Sequence, residues 1–320
     1  MEFRRHDIPA HRGHNVPVPP VDSAALSLGP DELRRYLWHD LPAHAPSTQH
    51  EHHEAAWALG ELFEAAGRLE EAALCRSSTT HEILSVWRWT QSFPDVPATF
   101  WEPALGTLGP RPGPPSRVAL SLAGVRAVLD AVGDGLTLTP GGRLPHATVL
   151  ALDDRFRWTE EFPWLRRERE DDIPPLRFLH EHLAAQRLLE LDGSRLSVSE
   201  QGRSARGDDA RLWGAVVDPR PRWSQEFELD TLGVLAAVLL RTGTFTPGRT
   251  SEEITPVLAA KWRPDGRGSV YDGASLVVQG WYQLGVPLGW WDTGRGPADR
   301  RPNAFGAAAA RAVFRATRRA

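Results

Sequence analysis

The sequence predicts a mainly α-helical protein with small β-hairpins: an N-terminal helical hairpin subdomain followed by two winged-helix-like units. Three observations predict it. Apolar residues recur at helical spacing along most of the chain. The stretch RLLELDGSRLSVSEQGRSA (187–205) reads as a helix end, a strand, a tight Asp192-Gly193 turn, a second strand and a new helix, the outline of a wing. The order of three helices and then a hairpin returns after residue 226.

Residues 1–28 read as extended and mobile, because HRGHNVPVPPVDS is rich in proline, which withholds a backbone donor. Residues 29–100 form the helical subdomain. It starts at GPDELRRYLWHDL (29–41), where Pro30 and Asp31 suit a helix start. In HHEAAWALGELFEAAGRLEEAALCRSSTTHEILSVWRWT (52–90), Ala56, Leu59, Leu62 and Phe63 share a helical face, and Gly67 closes that helix. A second helix follows. The pair is similar to one tetratricopeptide hairpin, but stacking normally needs about three repeats, and an ordinary helical pair accounts for it as well. Residues 101–117, with Pro103, Pro110, Pro112, Pro114 and Pro115, read as a linker.

The first winged-helix-like unit is assigned to 118–217. LSLAGVRAVLDAVG (120–133) is its first helix, LTLT (136–139) a short strand, and RLPHATVLALDDRF (143–156) a second helix. A charged insertion precedes the third helix, PPLRFLHEHLAAQR (174–187), striped by Leu176, Leu179 and Leu183. The wing follows, and Ser199 caps a closing helix. The second unit, 226–319, repeats this order. Its helices are EFELDTLGVLAAVLLRTG (226–243), TSEEITPVLAAKW (250–262) and YDGASLVVQGWYQLGVPL (271–288). GWW then begins a hairpin, and AFGAAAARAVFRATRR closes. If Trp290 and Trp291 lie on a strand they point to opposite faces, leaving one exposed for a partner.

The stretches LTLTPGGRLPHATVLAL (136–152), PPLRFLHEHLAAQRLLELDGSRLSVSEQGR (174–203), DDARLW (208–213) and AFGAAAARAVF (304–314) carry a resemblance. Over about residues 116–318 the chain resembles a group of uncharacterised actinobacterial proteins with tandem winged-helix-like units. Some of these stand beside a plasmid pRiA4b ORF-3-like domain. The resemblance implies the fold; it brings no catalytic residues with it.

Composition narrows the function. The chain of 320 residues carries a net charge of −4, which opposes nucleic-acid binding by bulk charge. Its single cysteine, Cys75, excludes an internal disulfide framework and a cysteine zinc cage, and fits a reducing cytoplasm. No signal peptide is visible, and the longest apolar run, LGVLAAVLL (232–240), is too short to span a membrane. Lys261 is the only lysine, and its context LAAKWRPDG fits neither a phosphate loop nor a lysine nucleophile. Signatures of nucleotide binding or hydrolysis are missing too, so the expectation is a non-enzymatic protein without a cofactor.

The leading expectation is a cytoplasmic, regulatory or DNA-linked winged-helix protein. In a helix-turn-helix fold the third helix enters the major groove. Here that helix offers Arg177, Gln186 and Arg187, and the wing and its flank offer Arg195 and Arg203 to phosphates. Glu168, Glu170, Asp171 and Asp172 just before the helix oppose this reading. One alternative is a protein-interaction scaffold that uses the helical subdomain and the second unit. The other is an enzyme of unrecognised type, whose sign would be a pocket with converging polar groups. Carboxylate pairs such as Asp153-Asp154 read as solvated. QHEHHEAAW places His50, His53 and Glu54 on one helical face, a weak metal-ligand pattern that a solvated helix start accounts for better.

Overall fold

Leu33, Leu37 and Leu41 recur every fourth residue and are fully or almost fully buried, so the chain's first helical stretch turns one continuous stripe inward. The computed structural model describes residues 3–5, 27–44, 49–93, 96–107, 114–161, 166–266, 268–292 and 300–317. Apart from 3–5 and 27–28, the segment 1–28 lies outside the described residues. The protein is mainly helical and carries a small three-stranded antiparallel sheet.

The N-terminal part contains α1 (Pro30–Arg35), α2 (Leu41–His44), α3 (Gln49–Ala65), α4 (Leu69–Cys75) and α5 (Ser78–Gln91). Gly67 takes φ 74° between α3 and α4, the left-handed conformation expected of it. The second helix of the expected pair is in fact two. Ser77 interrupts it: its side chain accepts from Thr80 N at 3.1 Å and starts α5 as an N-cap. One apolar cluster joins Leu33, Leu37, Leu59, Phe63 and Leu84. The other runs from Ile83 to Phe314, so α5 faces both. Next, α6 (Ala98–Leu105) continues through Pro103 and buries Trp101, Ala104 and Leu105 against α13 (Glu226–Thr242).

Residues 118–217 hold α7 (Val118–Ser121), α8 (Ala123–Val132), β2 (Leu136–Thr137), α9 (His146–Phe156), α10 (Pro174–Ala185), β3 (Leu189–Asp192), β4 (Arg195–Val198), α11 (Glu200–Arg206) and α12 (Asp209–Val217). The sheet order is β2-β4-β3. The leucine stripe of α10 is fully buried, and Ser199 caps α11 by accepting from Gly202 N at 2.9 Å. The hairpin turn sits one residue later than its sequence suggested. Asp192 pairs with Arg195, leaving Gly193-Ser194 as the two-residue loop. Gly193 takes φ 59° while Ser194 stays at negative φ, which matches a turn with glycine in first place.

The last part comprises α13, α14 (Pro247–Ala259), β5 (Trp262–Pro264), α15 (Val270–Gly285) and α16 (Ala304–Ala316). Its expected hairpin is reduced to isolated bridges, Phe245 to Arg300 and Trp291 to Pro302, and residues 293–299 lie outside the described part. Trp290 and Trp291 are both buried. The ring of Trp290 lies 4.5 Å from that of Trp281, and the ring of Trp291 stacks on Phe245 at 4.6 Å. The structure therefore corrects the expectation that one of them faces outward. A second correction concerns Trp262, expected at a helix end. It opens β5, which pairs antiparallel with β1 (Phe3–Arg5) in the register Phe3 to Pro264. Among the described residues, no helix is long and apolar enough to cross a membrane.

Candidate functional site

Helix α10 is the expected reading helix, and α15 packs along it. Gly280 makes the approach possible: a Cβ there would stand 3.0 Å from Phe178 Cε1 and 3.7 Å from Trp223 Cζ2. Trp223 fills the space beside both helices, its ring 6.0 Å from His182 and 6.3 Å from Trp281. Arg222 covers the Phe178 ring at 4.6 Å and donates to the Phe178 carbonyl at 3.3 Å. Toward its C-terminal end α10 exposes little beyond Ala184, with Arg187 just past its end.

The five residues picked as nucleic-acid contacts have different fates. Arg177 is half-buried and lies 3.7 Å from Asp171 and 3.9 Å from Glu181. Both acids are shared with Arg143, and Glu181 also with Arg222 at 2.9 Å, so three guanidiniums share two carboxylates. Gln186 is buried, and its amide donates to Asp218 O at 2.5 Å, which removes it from the surface. Arg195 lies over Gly135 and donates to Asp134 O at 3.3 Å. Arg203 donates to Val198 O at 2.5 Å. Arg187 is exposed, holds φ 55° at the end of α10, and has no ion pair among the described residues.

Sequence reasoning missed how the acids before α10 are used. Glu170 is fully buried. It accepts from Leu144 N at 2.7 Å and pairs with His180 Nδ1 at 2.7 Å. Asp153 is buried as well, contrary to its reading as a solvated carboxylate. It accepts from Thr159 N and Oγ1 at 3.0 and 2.6 Å and meets Arg167 at 2.5 Å. His182, fully buried, donates from Nε2 to Val216 O at 2.8 Å. Burial pushes its imidazole down to a pKa of about 4, against a pull upward from that hydrogen bond.

A second missed cluster surrounds Lys261. Its Nζ is buried 2.6 Å from Asp230 Oδ2, 3.1 Å from Ser92 Oγ and 3.5 Å from Glu226 Oε1. The rings of Phe93 and Trp262 stand 5.0 and 5.4 Å away. Asp230 also accepts from Trp89 Nε1 at 2.7 Å and Trp262 Nε1 at 2.8 Å. One carboxylate thus ties α5, α13 and the start of β5 together. The signal was visible as Asp230, the last acid before the apolar run of 231–240, and a lone lysine before a tryptophan. Next to it opens a cleft of about 440 Å³ lined by Phe3, Glu226, Phe227, Glu228, Trp262 and Leu276, among others.

The metal-ligand pattern on α3 does not gather. His53 stacks on His81 of α5 at 4.2 Å, Glu54 is exposed, and the His50 side chain lies outside what is described. Among the described residues, no group of three or more histidine, cysteine or carboxylate side chains is placed to hold a metal. No protein-family model matches the chain, and comparisons with curated proteins and with solved structures also return no match.

Two outcomes follow from the buried charges. Asp230→Asn leaves the Lys261 ammonium buried without its main counter-charge and lowers stability by about 3 kcal/mol. Adding Lys261→Met restores most of that loss, as read from urea unfolding of the single and double variants. His182 binds its proton more weakly when folded than the ordinary 6.5 of an unfolded imidazole. Its contribution is complete above that value, falls with pH toward about 4, and levels off below. The stability of the parent relative to His182→Gln therefore drops by about 3 kcal/mol between neutral pH and pH 4.

Proposed function

We propose that this chain is a non-enzymatic, cytoplasmic regulatory protein built on tandem winged-helix-like units, and that it works by docking on a protein partner. Several features support the winged-helix-like reading of 118–217. The element order is α8, β2, α9, α10, β3, β4, and the short β2 adds to the hairpin strand β4. The repeat of three helices over 226–285 supports the tandem reading. The observation that carries the docking reading is the contact of Phe178 with Gly280. With α15 against α10, the helix that reads bases in such folds keeps little surface for a major groove.

A DNA-linked role is the second reading, favoured by one observation. Arg187, Arg195 and Arg203 and the hairpin tip are exposed, and phosphate contact there needs no base reading. Fluorescence anisotropy with a labelled duplex separates the two. The docking reading expects no saturable binding at physiological salt, and no change on replacing Arg187 and Arg195 by Glu. Tight binding that falls steeply with salt and is lost in that double variant would overturn it in favour of DNA.

A further inference from the structure

An Asp-Gly step has a chemistry of its own. Glycine carries no Cβ to shield its nitrogen, so that nitrogen can close on the carboxyl of the aspartate before it. The chain has four such steps, Asp134-Gly135, Asp192-Gly193, Asp265-Gly266 and Asp272-Gly273. Asp265-Gly266 adjoins residue 267, which lies outside the described residues. The fold treats the other three differently.

At Asp272-Gly273 both reacting groups are held. The Asp272 carboxylate accepts from Ser269 N at 3.0 Å and from Ser269 Oγ at 2.8 Å, and Gly273 N donates to Ser269 O at 3.3 Å. Gly273 is also buried against Phe3, where a Cβ would fall 2.3 Å from Phe3 Cζ. At Asp134-Gly135 the nitrogen is held: Gly135 N donates to Val132 O at 3.1 Å, and the Arg195 guanidinium lies against the glycine. At Asp192-Gly193 neither group is held. Both residues are exposed, and among the described residues Gly193 N donates to no acceptor and the Asp192 carboxylate meets no donor. A Cβ on Gly193 would meet nothing within 4 Å, so the approach is open. What restrains Asp192 is its place as the last residue of β3, paired with Arg195 across the turn. A strand end beside a loop opens at small cost, and that opening lets the carboxyl swing over Gly193 N.

From these contacts we infer that Asp192 is a site of self-modification in the folded chain, passing through a cyclic imide to isoaspartate. The Gly193 nitrogen bonds to Asp192 Cγ. The protonated carboxyl gives up its hydroxyl, which leaves as water with the proton from that nitrogen. Water then opens the ring at either carbonyl, and no other reactant is needed. Opening at the main-chain carbonyl leaves the backbone running through the Asp192 side chain, one carbon longer, with the α-carboxylate as the branch. The added carbon breaks the pairing of Asp192 with Arg195. Ser194 passes the change on, because its carbonyl accepts from Leu138 N at 2.8 Å, just after β2. The hairpin therefore holds an age-dependent switch in its own register, independent of the docking reading above.

Incubation of the full chain in heavy-oxygen water at neutral pH tests it. Each passage through the imide puts one heavy oxygen into the aspartate that formed it. Trypsin digestion in ordinary water then places the three steps on separate peptides for mass spectrometry. Rates are taken relative to those of the same steps in urea, where the fold no longer distinguishes them. Freeing a held N–H costs one net hydrogen bond, so on that scale folded Asp192 should label at least about fivefold faster than Asp134 or Asp272. Asp192→Glu, which would have to close a larger ring, should abolish the label on its peptide, and the parent peptide should contain isoaspartate. The inference is overturned if Asp134 or Asp272 labels as fast as Asp192 in the folded chain, or if the Asp192 peptide takes up no label while the unfolded chain does. It is equally overturned if the label survives Asp192→Glu or if the labelled peptide holds no isoaspartate.

Discussion

The approach of Phe178 to Gly280 sets the terms for the rest of the molecule. It lets α10 and α15 lie together with only the Phe178 ring of α10 against the bare Gly280 of α15. Covering α10 buries polar atoms that must then find partners inside the protein. Several do: His182 Nε2 reaches Val216 O, Gln186 reaches Asp218 O, and His180 meets Glu170, while His182 Nδ1 has no hydrogen-bond partner among the described residues. Arg222 closes the seam by bonding to the Phe178 carbonyl and to Glu181. These groups describe a helix covered by the rest of its own chain, which leaves little of it open at the surface.

The Asp230 carboxylate plays the same part near the start of α13. Two indole donors and one ammonium converge on it, so α5, α13 and β5 meet in one register. Such a pair is not evidence of great stability, because desolvating both charges offsets most of their attraction. What it does is penalise any packing in which either charge is left unmatched. Trp262 serves this cluster with its indole nitrogen and the cleft with its ring, so the cleft wall is positioned by the same tie.

Much of the fold was legible locally. The leucine stripe of α10, the Ser199 cap and the hairpin of β3 and β4 rest on interactions only a few residues apart, which periodicity and capping rules capture. The shift of the hairpin turn to Gly193-Ser194 is a one-residue matter, set by which glycine position suits the strand twist. What stayed hidden depends on distant pairing. Trp89 and Asp230 are 141 residues apart, and β1 finds β5 across most of the chain. The acids before α10 registered only as charge opposed to DNA, because their spacing does not reveal that Glu170 turns inward to His180. The arginines chosen as contacts were sound as residue types, but the sequence does not show that the carboxylates of Asp171 and Glu181 stand beside Arg177.

The packing of α10 beneath α15 is tested most directly by nuclear Overhauser spectroscopy on protein labelled at phenylalanine and glycine. The account predicts a strong cross-peak between the Phe178 ring protons and the Gly280 Hα protons, together with slow amide exchange along α10. Absence of that cross-peak, with α10 amides exchanging like those of a surface helix, would contradict it.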